Sequence, residues 1–285
     1  METKISSAGK EVLISGDQPT VLIGERINPT GRKRLAESLQ AGSVGLVRRE
    51  ATVQVQAGAD VLDVNVGGPG IDEVALLPQA VQAVMEVVDV PLSLDSDNPK
   101  ALEAALKVCQ GKPIVNSVTG QEKSLNEILP LVKEHRTAVI GLTIDDNGIP
   151  TDADRRVVIA RKIIERAETL GIPREDVIVD CLALTVSTDS RAGLVTLEAI
   201  RRVRAELGAN QTIGVSNISY GLPERDVLNG TFLALAIAAG VTCPTVHVAR
   251  VRQAVLAADL LLGRDGYAQR YIRGYRQHQS PLGSA

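Results

Sequence analysis

Aromatic side chains are nearly missing. They make up 2% of the 285 residues, with no Trp, one Phe and four Tyr. The stacking platforms of single-strand nucleic-acid binders are therefore absent, and the core must be built from Val, Ile, Leu and Ala. Cysteine is scarce too. Cys109, Cys181 and Cys243 are odd in number, far apart, and form no Cys-x-x-Cys pair, which argues against a disulfide framework and a thiolate metal site. No surplus of positive charge exists: 31 Lys and Arg stand against 34 Asp and Glu, for a net charge of −3. A partner held by bulk electrostatics, such as nucleic acid, is not expected. The longest apolar stretch, FLALAIAAGV from Phe232, is about half of what crosses a bilayer, and no basic-then-apolar leader opens the chain. These absences predict a soluble cytoplasmic protein with neither membrane nor nucleic-acid partners.

What is present is ordinary globular composition, 44% hydrophobic and 23% charged. The length suggests two domains, unless the chain is a barrel of roughly 250 residues around one core. Short β-branched runs alternate with stretches of helical period. The strand candidates begin at Val21 (VLIGERI), Val61 (VLDVNV), Pro91 (PLSLDS), Pro113 (PIVNSV), Ala138 (AVIGLTI), Val177 (VIVDCL), Thr212 (TIGVSNIS) and Thr245 (TVHVAR). Between them lie amphipathic segments such as PKALEAALKVC and DADRRVVIARKIIERAETLG, and Gly58, Gly171, Gly208 and Gly240 suit helix C-caps. Eight such units predict an α/β fold, a single (β/α)8 TIM barrel; an open doubly wound sheet would normally use fewer strands and carry a phosphate fingerprint. The expected organisation is an extension over residues 1–20, in which EVLIS covers the barrel bottom, a barrel over 21–263, and a helix and tail over 264–285. Tyr267, Tyr271 and Tyr275 are spaced by four, which predicts a last helix packing a tyrosine stripe on the barrel rather than a nucleic-acid surface.

In such barrels chemistry sits at the C-terminal strand ends, and here those ends are polar. They carry Glu25, Arg26 and Asn28; Asp63 and Asn65; Asp95 and Ser96; Asn116 and Ser117; Asp180; Asn217 and Ser219; and His247. A carboxylate in an apolar run is costly to desolvate unless paired. Any one of them could be structural: Asp95 and Asn116 could cap helices, and Asp63 could pair with Arg26. Their convergence on one end predicts a site. Lysines are absent from it, and no Ser-His-Asp or Cys-His set is apparent. His247 reads as a satisfied structural histidine, and the GGPG loop with Asp72 as a plain turn. Several acids and amides against one or two arginines favour a neutral ligand rich in N–H donors. A fused aminopyrimidinone fits, because a carboxylate accepts two parallel N–H bonds and Asn serves mixed edges.

The segments GERINPTG (24–31), DVNVG (63–67), SLDS (93–96), VNS (115–117), VD (179–180) and VSNIS (215–219) occur in this order. In this the chain resembles the pterin-binding methyltransferases that carry a methyl group from 5-methyltetrahydrofolate to a corrinoid protein, a group that includes the folate domain of cobalamin-dependent methionine synthase. The resemblance spans roughly Val21 to Leu262. It implies a dihydropteroate-synthase-like pterin-binding barrel, tetrahydrofolate and 5-methyltetrahydrofolate as substrates, a cobalamin-type corrinoid carried by a partner protein, and a homodimer. Carried over, it makes Asp95, Asn116 and Asp180 ligands of the pterin ring, with Ser216, Asp63, Asn65 and Glu25 around it. Asn217 would act at N5, the atom bearing the methyl, with Asp180 a relay or a ring ligand. Tyr220, Arg225 and Asn28 would face the corrinoid partner. Two positions depart from the family's pattern: Tyr220 replaces a glutamine found in some members, and Cys181 a proline.

Cobalt(I) is a strong nucleophile, so the step needs positioning and a proton at N5 rather than an enzymatic nucleophile or metal. Dihydropteroate synthase is the nearest rival, but its TPDSF-type loop, Lys-Gly pair and Arg-x-His have no counterparts in NPTGRKR and VHVAR. The same pterin pocket would also suit a tetrahydromethanopterin methyltransferase subunit or a non-catalytic pterin-binding subunit.

Overall fold

The computed structural model describes residues 1–279. Two antiparallel strands, β1 (Glu2–Ser6) and β2 (Glu11–Ser15), open the chain. Eight parallel strands follow: β3 (Ile23–Ile27), β4 (Val61–Asn65), β5 (Leu92–Asp95), β6 (Ile114–Thr119), β7 (Ala138–Leu142), β8 (Val177–Asp180), β9 (Gln211–Thr212) and β10 (Thr245–Val246). They pair in the order β10-β3-β4-β5-β6-β7-β8-β9. A bridge between Gly214 and Thr245 and the bond from Thr245 N–H to Ile213 C=O at 3.0 Å close the ring.

The helices are α1 (Lys33–Gln40), α2 (Gly45–Gln56), α3 (Glu73–Met85), α4 (Pro99–Leu106), α5 (Glu122–His135), α6 (Ala153–Thr169), α7 (Ala192–Arg202), α8 (Arg225–Ala239), α9 (Val248–Leu261) and α10 (Gln269–Gln279). No described helix is long and apolar enough to cross a membrane. Alternate strand residues face opposite ways. Leu62, Val64, Leu92, Leu94, Val115, Val139, Val177 and Val179 face the helices, in one continuous aliphatic core. Ile23, Val61, Ile114, Ala138, Ile140 and Ile178 fill the lower interior, and Ile5, Val12 and Ile14 of the hairpin plug it from below. Asn210 Nδ2 donates to Thr3 Oγ1 and Ile14 C=O, both at 2.9 Å, tying the hairpin down. Gly111 lies under it with φ +82°, and a Cβ there would meet Ser6 O at 2.3 Å.

Three expectations are corrected. The TIGVSNIS segment is a strand for two residues only; Val215–Ser219 is a 3₁₀ turn, so Asn217 and Ser219 do not share a strand face. His247 ends no strand but occupies the N-cap position of α9. The tyrosines do not pack on the barrel: Tyr267 is 96% exposed, and Tyr271 and Tyr275 are also exposed. The reason is Gly274, where an added Cβ would lie 2.3 Å from Leu256 Cδ1. Helix α10 crosses α9 at this small residue, and the tyrosines flank the contact. The tail beyond residue 279 lies outside the described residues.

Candidate functional site

Along each strand the inward positions change from aliphatic to polar toward the C-terminal end. In β4 the inward series is Val61, Asp63, Asn65, and in β6 it runs from Ile114 to Asn116. The register sets Asn65 beside Asp95 and Asp95 beside Asn116, while Asp63 lies one layer deeper, beside Ser93. Asp63 is 3% exposed. Its Oδ1 accepts from Ser93 Oγ at 2.7 Å and Asn116 Nδ2 at 3.1 Å. Burial pushes the Asp63 carboxyl well up, and the neighbouring Asp95 charge pushes it further. Asp95 is raised by burial as well, while hydrogen bonds from Asn65 and Asp63 lower it. Two buried carboxyls this close disfavour double ionisation, and both are held toward the protonated form, the deeper Asp63 more strongly. Arg26 is not the partner of Asp63, and Asn98, not Asp95, caps α4.

Across the mouth, burial raises the Asp180 carboxyl to about 7, against backbone bonds from Leu182 and Gly214 and the charge of Arg156. Leu182 N–H donates to Asp180 Oδ1 at 2.6 Å, and Leu182 has φ +62°. Arg156 holds that backbone. It is 1% exposed, and its guanidinium donates to Pro150, Cys181 and Leu182 carbonyls and Thr196 Oγ1 at 2.8–3.1 Å.

Glu25, raised by burial, accepts from Ser216 Oγ at 2.6 Å. Arg225 clamps the 3₁₀ turn from the start of α8, donating to Ser216 C=O at 2.7 Å and Ser219 Oγ at 3.0 Å. Ser219 Oγ in turn donates to Asn229 Oδ1 at 2.7 Å. The turn thus presents Ser216 and Asn217 at the rim. Asn217 is exposed, and its side-chain amide has no hydrogen-bond partner among the described residues. Tyr220 is 70% exposed, with the Arg225 guanidinium 6.0 Å from its ring centre. Asn28 is committed locally, Oδ1 accepting from Thr30 N–H at 2.9 Å. In the GGPG loop Asn65 Oδ1 accepts from Gly67 N–H at 2.8 Å, and Asp72 caps α3, so this loop is a turn.

His247 departs from its reading as a satisfied histidine: its Nδ1 is buried and unpartnered. The structure therefore forms one set from Asp63, Asn65, Asp95 and Asn116 and another from Glu25, Ser216, Asn217 and Arg225, with Asp180 linked to the turn of the latter through the Gly214 backbone. Ser93, Arg156 and Asn229 were not anticipated.

The family model described as pterin binding enzyme matches residues 24–247. The chain belongs to the pterin-binding enzyme family. This pterin-binding enzyme is 29% identical over 267 residues to a methylcorrinoid:tetrahydrofolate methyltransferase of Eubacterium limosum, covering 90% of the chain and 96% of that relative. It is 31% identical over 289 residues to a methionine synthase of Mycobacterium leprae, covering 93% of the chain and 24% of that much longer protein. Its fold is that of the solved dihydropteroate synthase of Yersinia pestis, with a TM-score of 0.72 at 16% identity, covering 92% of this chain and 99% of that one.

Proposed function

We propose that this pterin-binding enzyme moves the N5-methyl group between 5-methyltetrahydrofolate and the cobalt(I) corrinoid of a separate corrinoid protein. The observation that carries the reading is the uncommitted Asn217 amide, held at the rim by a clamped turn above two sets of buried carboxyls and amides. The relative from Eubacterium limosum supports it by name and by near-complete overlap.

The pterin's aminopyrimidinone edge offers N–H donors to Asp95, the outer member of the carboxyl pair, with Asp63 one layer deeper. Asn116, half spent on Asp63, serves a mixed edge. Asp180 and the Glu25–Ser216 pair bound the ring on the other side. The methyl on N5 becomes a competent electrophile only when the nitrogen is protonated. As the carbon passes to cobalt(I), the cobalt electron pair forms the new bond. The C–N5 pair returns to nitrogen, and the solvent-derived proton stays there as N5–H. Asn217 matches both ends of this change: its NH2 donates to the bare N5, and its carbonyl oxygen accepts from the protonated one. An interaction that strengthens toward the transition state raises the rate rather than the affinity. Tyr220 and Arg225 flank this opening, on the side from which the corrinoid protein would approach.

The test is anaerobic conversion of cobalt(I) cobalamin and 5-methyltetrahydrofolate to methylcobalamin, followed spectroscopically. The expected result is catalysed conversion, with Asn217→Ala losing about two orders of magnitude in transfer rate, the scale of one transition-state hydrogen bond, and keeping most folate affinity. Lost affinity with an unchanged transfer rate would overturn the role of Asn217. Absence of both folate binding and conversion would overturn the reading and favour dihydropteroate synthesis.

A further inference from the structure

Strand β3 turns Glu25 into the barrel mouth and Arg26 the other way, toward α2. Gly24 makes this possible, since a Cβ there would lie 2.5 Å from Gln54 Oε1. Gln54, 3% exposed, reaches the strand and accepts from Arg26 N–H at 2.8 Å through that oxygen. A backbone N–H can only bond the oxygen of the amide, so the orientation of Gln54 is settled. Its Nε2 is then left buried with no partner.

Beside this buried amide lies a cavity of about 190 Å³ between α2 and the start of α9, lined by Arg26, Arg32, Glu50, Gln54, His247 and the first residues of α9. This volume is that of about six waters. His247 Nδ1 is the second buried polar atom here without a partner. The Arg26 guanidinium makes no hydrogen bond or ion pair among the described residues. Arg32 is neutralised by Glu50 at 2.5 Å, and Arg250, just beyond, by Asp226 at 2.6 Å. The N-terminus of the 14-residue α9 opens into the same space with no side-chain cap, adding backbone donors and the positive end of its dipole. One unpaired cation, one orphaned amide donor, an imidazole and a free helix N-terminus converge, and Glu50, the one acid among the described lining residues, is already paired.

We propose that this cleft is a binding site for one small oxyanion, a phosphate or carboxylate group, on the outer side of β3 from the pterin site. The anion takes charge-assisted bonds from Arg26 and a direct bond from Gln54 Nε2. The α9 N–H groups close around it, and His247 donates through Nδ1 in the tautomer that anion binding selects. The site goes beyond methyl transfer and does not depend on it.

The experiment titrates inorganic phosphate into the full-length protein and follows the imidazole signals by NMR, with His135 and His278 as internal references. The expected result is a saturable shift at His247 alone. Arg26→Gln and Gln54→Glu should each weaken it by about ten-fold or more, the scale of one charge-assisted hydrogen bond. Gln54→Glu keeps the oxygen that accepts from Arg26 N–H and replaces only the orphaned donor, so it tests the site even if Arg26→Gln fails to fold. Repeating the titration with saturating 5-methyltetrahydrofolate separates the sources. Loss of phosphate binding assigns the site to a folate carboxylate, and persistence assigns it to a free oxyanion. No saturable shift at His247, or affinity unchanged in both variants, overturns the proposal.

Discussion

Replacing Asp180 by Asn isolates the energetics of one buried carboxyl. Burial raises this group from the ordinary 3.8 to about 7. A carboxyl whose folded value is raised contributes its stability fully below the unfolded value and loses it as pH rises to the folded one. For Asp180 that window runs from about pH 4 to about pH 7, and the full loss is about 4 kcal/mol at 1.36 kcal/mol per pH unit. Asn cannot ionise, so the variant escapes the loss. It sacrifices part of the acceptor capacity used by Leu182 N–H and the Gly214 backbone, about 1 kcal/mol, at every pH. The variant should therefore be close to wild type at pH 5 and about 3 kcal/mol more stable at pH 8. Asp63, Asp95 and Glu25 also titrate, but they are common to both proteins and cancel in the difference. Urea denaturation of the ligand-free proteins at pH 5, 6, 7 and 8 measures it. Parallel stability curves would refute the reasoning and show Asp180 ionising as an ordinary surface carboxyl does.

Asp63→Asn removes the charge that burial disfavours and keeps an acceptor for Ser93 and Asn116. Folate affinity by calorimetry should stay within a few-fold of wild type, whereas Asp63→Ala strands those partners and should cost roughly 2–4 kcal/mol in denaturation. Arg156→Met takes the guanidinium donors from the Pro150 and Cys181 carbonyls and leaves Leu182 C=O only the Thr196 hydroxyl at 3.1 Å, an expected loss of roughly 2–4 kcal/mol in denaturation. It also removes the cation that lowers Asp180, so the Asp180-linked step in the pH profile of folate binding should move to higher pH. Gly111→Ala combines a left-handed backbone with a 2.3 Å clash against Ser6 O; thermal denaturation should show a loss of about 1–3 kcal/mol as the hairpin lifts.

The barrel was legible because its signals are local. Each of the eight strands overlaps one of the predicted runs, although β6 runs on to Thr119 and β9 shares only Thr212 with its run, and inward positions can be counted in twos. The same counting exposes the mouth, since Val61-Asp63-Asn65 and Ile114-Asn116 turn polar on their inward side in the same direction. The register was not legible. That Asp63 lies beside Ser93 and under Asp95 depends on how two strands slide past each other, and no residue in either strand encodes it alone. The VSNIS turn was illegible for a related reason. Its alternating pattern reads equally as a strand, and the bonds that coil it come from Arg225 and Asn229 in the next helix. His247 misled because the alternating TVHV pattern reads on as strand, whereas the helix begins at Val248.

Arg156 is the instructive omission, because its signal was present. The segment DADRRVVIARKIIERAET holds two adjacent arginines, and by habit both belong on the solvent face. Arg155 does, pairing with Asp145 at 2.7 Å. Arg156 is in phase with Ala160, Ile163 and Ala167, all buried on the barrel side of α6, at the i, i+4, i+7 and i+11 spacing of a core stripe. A guanidinium placed there cannot reach water and must find fixed acceptors inside. Inside a (β/α)8 barrel the acceptors open to a helix's first turn are the carbonyls just beyond the strand ends, where the chemistry is. An arginine in register with an apolar stripe at the start of a barrel helix therefore points to a strand end that has to be held still, and here that end carries Asp180.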